Sequence, residues 1–490
     1  MRDPVKRLKT LSITVLASLL LLLLPRHAAQ GQTPATPPTT PPTTKPAPDA
    51  RPPAAPPTVA PPDTARPADR PTAHPTAATA RDTPPSAPPA APAPPAQKMD
   101  KKAPTKADQT AKLLEKAARF LSFFKPSTVW YLQFRAGHDG SDRYNRFFVG
   151  RGYVTLKFKP SRWFEARVTL DTHQDDEGDW KVRLKYLYAK FKVPMETRVI
   201  SEPFAEFGIA HIPWLDYEEH INYYRVQGVM FAEKNKLHNS ADLGLTVGTL
   251  FGKKLPKKVA KKMGDKYPGS WGSVALGVYN GTGYHDLEKN ENKVLEGRVS
   301  LRPGGIYFPY IQLSYFFTYG KGARNLVIED DPATVPDESA EYRHPWWQNN
   351  IAMLSFAHQY AVVTAQYIFG KGTQKGAQSN WLYQRGEDPN RAPGSAKKYR
   401  GASVFAELRL PWIKSSLWGR YDWFDGPYAG GSQPYHRFFA AYAFHFWGRN
   451  SNLLMLDFEY VKFDDGDVPD PADRRENQWA LTLSVQVKLK

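Results

Sequence analysis

The sequence predicts an all-β protein: a transmembrane antiparallel β-barrel of about sixteen strands, preceded by a disordered Pro-rich segment and a short helix. Three observations predict it. Apolar and polar residues alternate with period two from residue 126 to residue 490. Aromatic residues are abundant, with 13 Trp, 25 Tyr and 26 Phe in 490 residues. Beyond the N-terminal region no segment reaches the roughly 18 consecutive apolar residues that mark a spanning helix. Barrel strands need no such run, because they turn one apolar, aromatic-girdled face to lipid and the other to a polar lumen.

The elements follow in order. Residues 1–29 read as a signal peptide, since Arg2, Lys6, Arg7 and Lys9 precede an uncharged run from Leu11 to Leu24 that gives way to Ala28 and Ala29. Cleavage is expected after Ala29. The chain has no cysteine, so neither disulfides nor a lipid-modified N-terminal Cys are expected. Residues 30–104 are Pro, Ala and Thr with scattered charges, too poor in apolar groups to bury a core. They are expected to form a disordered linker, and polyproline geometry at about 3.1 Å per residue gives it a reach on the order of 200 Å. A tether making cell-wall contact is one reading of this Pro-rich arm, and a solvated spacer without a fixed partner is the other. Over 105–125, Leu113, Ala117, Leu121 and Phe124 recur at helical spacing with Asp108 near the start, and Pro126 ends the pattern.

The barrel is expected over residues 126–490. Between Trp163 and Asp171, Phe164, Ala166, Val168 and Leu170 alternate with Glu165, Arg167 and Thr169. Between Trp180 and Tyr188 the outward set is Trp180, Val182, Leu184, Tyr186 and Tyr188, and Lys181, Arg183 and Lys185 face inward. Strands are expected at 128–137, 145–158, 163–173, 180–193, 203–211, 239–252, 270–280 and 293–302. The second half adds 308–320, 346–357, 360–370, 398–410, 415–425, 434–447, 451–463 and 475–490. The long connections then fall mostly at one end, as in barrels whose outer loops are long and periplasmic turns short. Connections 194–202 and 253–269 are the exceptions.

Residues 1–125 hold +10 of the net charge of +18, leaving the barrel mildly basic and its charges dispersed over many segments, which argues against nucleic-acid binding. Alternation places Arg151, Lys157, Arg167, Lys181, Arg183, Lys185, Arg298, Arg302 and Arg409 inward, against Glu165, Asp171, Glu296 and Glu407. Such a lumen is expected to favour anions.

Several stretches resemble the phosphate-selective porins of the O and P type. They are Arg151-Gly-Tyr-Val-Thr-Leu-Lys-Phe with Thr169-Leu-Asp171, Phe207-Gly-Ile-Ala-His-Ile-Pro213, and Ala275-Leu-Gly-Val-Tyr-Asn-Gly-Thr-Gly283 leading to Gly297-Arg-Val-Ser-Leu-Arg-Pro303. The resemblance covers about a third of the chain. It implies a homotrimeric outer-membrane porin, surrounded by outer-membrane lipid, that passes small anionic solutes such as phosphate through an eyelet lined by Arg and Lys. By the same porin resemblance, connection Ile212–His238, after the fifth strand, is expected to fold inward and narrow the pore. Its Asp216, Glu218, Glu219 and Arg225, set against Lys181, Arg183 and Lys185, are expected to make a transverse field at the constriction. One departure is Lys490, where such barrels commonly end in an aromatic residue. A barrel enzyme of the lipase or protease type would need a Ser, His and carboxylate gathered at a rim, and no Ser-centred motif stands out. His211, Asp216, Glu218, Glu219 and His220 match no metal-binding spacing. No catalytic residue, metal or cofactor is therefore assigned. An envelope tether anchored by the barrel is the remaining alternative.

Overall fold

The computed structural model describes residues 106–489 apart from 176, 285–286, 289–290, 323–345, 374–397, 427–432, 449–450 and 465–473. The expected signal peptide and Pro-rich linker lie outside the described residues. Helix α1 (Lys106–Leu121) leads into β1 (Phe124–His138), which is followed by β2 (Arg143–Phe158), β3 (Phe164–Gln174), β4 (Trp180–Lys192) and β5 (Ile200–His211). The connection to β6 (Ala241–Phe251) carries α2 (Leu215–Ile221) and α3 (Phe231–Lys234), and the next carries α4 (Lys257–Met263). Then come β7 (Gly272–Tyr279), β8 (Val294–Leu301), β9 (Ile311–Lys321), β10 (Trp346–Ala357) and β11 (Ala361–Lys371). The chain ends with β12 (Lys398–Leu410), β13 (Ser415–Asp425), β14 (Tyr435–Trp447), β15 (Asn452–Phe463) and β16 (Gln478–Leu489).

Each strand pairs antiparallel with its sequence neighbours, and β1 closes on β16 with Thr128 opposite Leu489 and His138 opposite Trp479. Closure leaves no unpaired edge, the condition for carrying β-structure through hydrocarbon. The connections after odd-numbered strands include the long ones, 212–240, 280–293, 322–345 and 372–397, so that end is the outer end. The opposite end has short turns at 159–163, 358–360, 411–414 and 448–451. Its exception, 252–271, is no extra strand pair but a loop holding α4, which stops at the left-handed Gly264.

Three local expectations are revised. Helix α1 stops at Leu121 and β1 starts before Pro126, because Phe120, Phe123, Phe124 and Phe158 pack ring against ring there. In β4, Thr169 faces Tyr186 and Leu170 faces Leu184, so Lys185 is an extra residue. Such a bulge reverses the alternation. Tyr186 and Tyr188 are consequently buried on the inner side instead of facing lipid. The third revision concerns the inner wall itself. From β9 to β15 it is not uniformly polar, for Phe316, Ile351, Met353, Val362, Phe405, Trp418, Phe424, Phe439 and Met455 are buried there.

Close strand packing requires glycine at position 208. Gly208 lies at φ 122° where β5 meets β4, and a Cβ there would come within 2.2 Å of the Leu187 carbonyl oxygen.

Candidate functional site: the lumen and its inserted loop

The connection from β5 to β6 explains the apolar wall. Ile212, Trp214, Leu215, Phe231 and Leu237 are fully buried, and the loop bonds to strands around the ring. Arg298 Nε on β8 donates to the Pro213 carbonyl at 3.1 Å. The hydroxyls of Tyr217 and of Ser314 on β9 lie 2.7 Å apart, and Gln366 Nε2 on β11 donates to Glu218 at 2.8 Å. Tyr224 donates to Glu407 on β12 at 2.8 Å, Tyr435 on β14 donates to Asn235 at 2.5 Å, and Gln133 Nε2 on β1 donates to the Val226 carbonyl at 2.8 Å. Ring contacts fill the intervals: Trp214 with Phe316 at 5.6 Å, Tyr224 stacked on Trp418 at 5.2 Å, and Phe231 edge-on to Phe424 at 6.3 Å. The inserted loop thus has its own hydrophobic core with the β9–β15 wall, which strongly favours holding it inside.

The accessible part of the inner surface is concentrated on β1–β4, and it is basic. Arg135, Arg151, Lys157, Arg183 and Lys192 keep 28%, 30%, 34%, 25% and 37% of their side chains exposed. Their acidic partners are buried beneath them. Asp171 holds Arg151 and Arg183 at 3.1 Å each. Glu165 takes Lys159 at 2.7 Å and Lys157 at 3.5 Å, Glu206 takes Lys190 at 2.6 Å, and Glu459 takes Arg135 at 2.6 Å. Along β2 and β3 these groups descend from Arg146 near the outer end, past Arg151, to Lys157 near the other.

The loop meets this wall with a mixed set of charges. Arg225 pairs with Glu219 and, at 2.5 Å, with Glu233, and it interacts electrostatically with Tyr131, Tyr153 and Lys185 of the wall. Burial opposes the charge on Arg225, but Glu219 and Glu233 more than offset it and hold its pKa well above the ordinary arginine value. The other two carboxylates point elsewhere. Glu218 sits between Trp214 Nε1, at 2.9 Å, and Gln366, and burial pushes its carboxyl up to about 7. Asp216 faces the inner-end loop, where Lys266 and Tyr267 bind it. Burial pushes its carboxyl up, yet His211, Lys266 and His220 together hold it well below the usual carboxylate range.

Of the residues singled out from sequence, Arg151, Arg183, Lys185, Glu219 and Arg225 come together in the lumen. Arg167 lies deeper, against His211 Nε2 at 3.1 Å and 4.3 Å from the Tyr186 ring centre. Lys181 stands near the outer end of β4, 58% exposed and bound to Asp175, away from the inserted loop. Arg298 and Arg302 are sealed in the wall. Arg298 bonds Ser273 at 2.9 Å and Ser300 at 2.6 Å, and Arg302 bonds the Gly269 carbonyl at 3.1 Å, the Pro309 carbonyl and Asp265. Their inward facing was legible, but alternation reports neither depth nor which loop covers a side chain. Arg135, Arg146, Lys159, Lys190, Lys192 and Lys266 were missed. Arg135 was readable from its place beyond Tyr131 and Gln133, whereas Lys190 and Lys192 lie beyond the bulge that inverts β4.

No protein-family model matches the chain, and no curated protein matches it. Solved structures similar to it include an anion-selective porin from Comamonas acidovorans, 9% identical, with TM-score 0.48, covering 75% of this chain and 99% of that one. A Salmonella typhi OmpF, in complex with daunomycin, is 9% identical with TM-score 0.47, covering 75% of this chain and 97% of its own. A loop-deleted OmpT, an outer membrane protein of Vibrio cholerae, is 9% identical with TM-score 0.45, covering 75% and 100%. The closed ring of sixteen antiparallel strands defines the class directly. Its outer surface exposes Leu132, Phe147, Val182, Phe207, Leu354 and Leu408 with no protein cover, so this is a transmembrane β-barrel of the outer-membrane type.

Proposed function

We propose that the protein is a diffusion porin whose solute route follows the β1–β4 wall past Arg225 and which prefers small anions, with phosphate-like oxyanions as the solute class. The observation that carries this reading is the distribution of accessible charge. Guanidinium and ammonium groups project into the lumen from both ends of β2–β4 while Asp171, Glu165 and Glu206 lie buried behind them. A passing solute meets the cations first, and low-dielectric walls focus their field. Arg151 and Arg183 each keep donors beyond those given to Asp171, and a guanidinium offers a tetrahedral oxyanion paired N–H groups that chloride cannot use fully. In keeping with the family it resembles, the barrel is read as a homotrimer.

The test is competition in planar bilayers. With chloride as the current carrier, millimolar phosphate added to one side is expected to reduce the single-channel current in a saturable way, and Arg151→Gln with Arg183→Gln to weaken that block at least several-fold. A current indifferent to phosphate would remove the oxyanion assignment and leave a general anion pore.

A further inference from the structure

The outward face at the outer end of the barrel carries charge that the lumen does not use. A lipid-facing strand position is ordinarily apolar, and on β4, β6, β7 and β8 the corresponding outward residues near the outer end are Trp180, Leu243, Val278 and Leu295. On β1 and β2, His138 and Arg143 lie opposite one another at that end, and from β9 to β15 basic residues become the rule. Lys321 ends β9, Lys371 ends β11, Lys398 opens β12 with Arg400 two residues on, His436 is second in β14, and Lys462 is next to last in β15. All six fall on the outward parity, because their neighbours Gly320, Gly370, Tyr399, Tyr435 and Phe463 face the lumen side with Trp347 and Phe424. The register ties them together: Lys371 lies opposite Lys398, Lys321 opposite Trp346, and His436 opposite Lys462.

Aromatic rings sit among these cations at the same height. Lys321 and Lys371 lie 5.7 and 6.0 Å from the Trp346 ring centre, and Arg400 lies 5.6 Å from that of Trp423. Tryptophan at this position belongs to the interfacial girdle, where lipid headgroups begin. Two of the cations are paired, Arg400 with Asp425 at 2.8 Å and His436 with Asp464 at 3.1 Å. Among the described residues, Lys321, Lys371, Lys398 and Lys462 have no carboxylate partner.

We propose that this half-ring binds the phosphate groups of an outer-leaflet phosphorylated glycolipid, with its acyl chains lying on the apolar strand faces below. The position selects the ligand. Cations that face out of a closed barrel at headgroup height cannot steer solute through the lumen, and the species held against that wall by the bilayer is lipid. Lysine and arginine spaced one strand apart suit a headgroup bearing more than one phosphate. The cations are densest from β9 to β15, where six such residues stand, compared with His138 and Arg143 on β1 and β2.

The test uses the full-length protein purified in mild detergent and a bisphosphorylated glucosamine-based glycolipid as probe, followed by native mass spectrometry. Wild-type protein is expected to retain the probe, and Lys371→Gln with Lys398→Gln and Arg400→Gln to retain at least tenfold less, while Lys253→Gln, at the opposite end of the barrel, changes nothing. Phosphatase-treated probe is expected to be lost from wild type to the same degree, and free inorganic phosphate at millimolar concentration not to displace the intact lipid. Equal retention by the triple variant, or equal retention of the dephosphorylated lipid, would overturn the proposal. If the triple variant does not reach the heat-modifiable folded form, Lys321→Gln with Lys462→Gln is read in its place against the same criterion.

Discussion

At the scale of single residues, the lumen shows two ways of burying a carboxylate. Asp216 is surrounded by His211, His220 and Lys266 and stays charged. Glu218, two residues on in α2 and pointing to another side, has only neutral donors in direct contact, Trp214 and Gln366, and its carboxyl is raised from 4.5 to about 7. The linkage has a definite sign. The folded state binds a proton that the unfolded chain has released between pH 4.5 and about 7, so Glu218 makes stability fall as pH rises through that window. Relative to wild type, Glu218→Gln is therefore expected to raise the melting temperature read by heat-modifiable mobility more at pH 8 than at pH 5, because it holds the neutral state at both. An unchanged pH dependence in the variant would place the titrating group elsewhere.

At the scale of elements, the strands were legible and the loop's destination was not. Strict alternation in β11 (Val362, Thr364, Gln366 against Val363, Ala365, Tyr367) and in β16 fixes facing whenever both faces differ in polarity. Two signals escaped that reading. The bulge in β4 has no glycine or proline to announce it, and the double-sided apolar pairs Trp346-Trp347, Phe438-Phe439 and Leu454-Met455 announced an inner hydrophobic wall that period-two logic treats as noise. Phe439 and Met455, the inward members of two of those pairs, belong to the same buried cluster as Trp214, Leu215 and Phe231 of the loop. Arg302 and Arg298 were placed on the right face, yet their burial depends on loops 212–240 and 252–271, whose folding into the lumen no local pattern encodes. The account makes the loop a packed element. Replacing residues 217–229 by a short Gly-Ser linker is expected to raise single-channel conductance at least twofold. It also exposes Trp418 and Phe405, each large aromatic costing about 1.5–3 kcal/mol of lost burial, so the melting temperature is expected to drop in the same preparation. A conductance unchanged by the replacement would mean that the loop does not limit the pore.

At the scale of the whole molecule, two arcs of the barrel wall differ in what covers them. The β9–β15 arc is packed inside by the loop and studded outside, at its outer end, with cations. The β1–β4 arc keeps its inner side chains accessible, among them Arg135, Arg146, Arg151, Lys157, Lys181, Arg183 and Lys192. The net charge of the chain is a poor guide to this, since more than half of it lies before the barrel; what matters is which charges solvent reaches. The zero-current potential across a planar bilayer in a tenfold KCl gradient tests that claim most directly. Wild-type channels are expected to show the sign of anion preference, and Arg151→Gln with Lys157→Gln and Arg183→Gln to move the potential towards zero or past it. A cation-selective wild-type channel, or a triple variant with the wild-type potential, would contradict the assignment of the β1–β4 wall as the solute path.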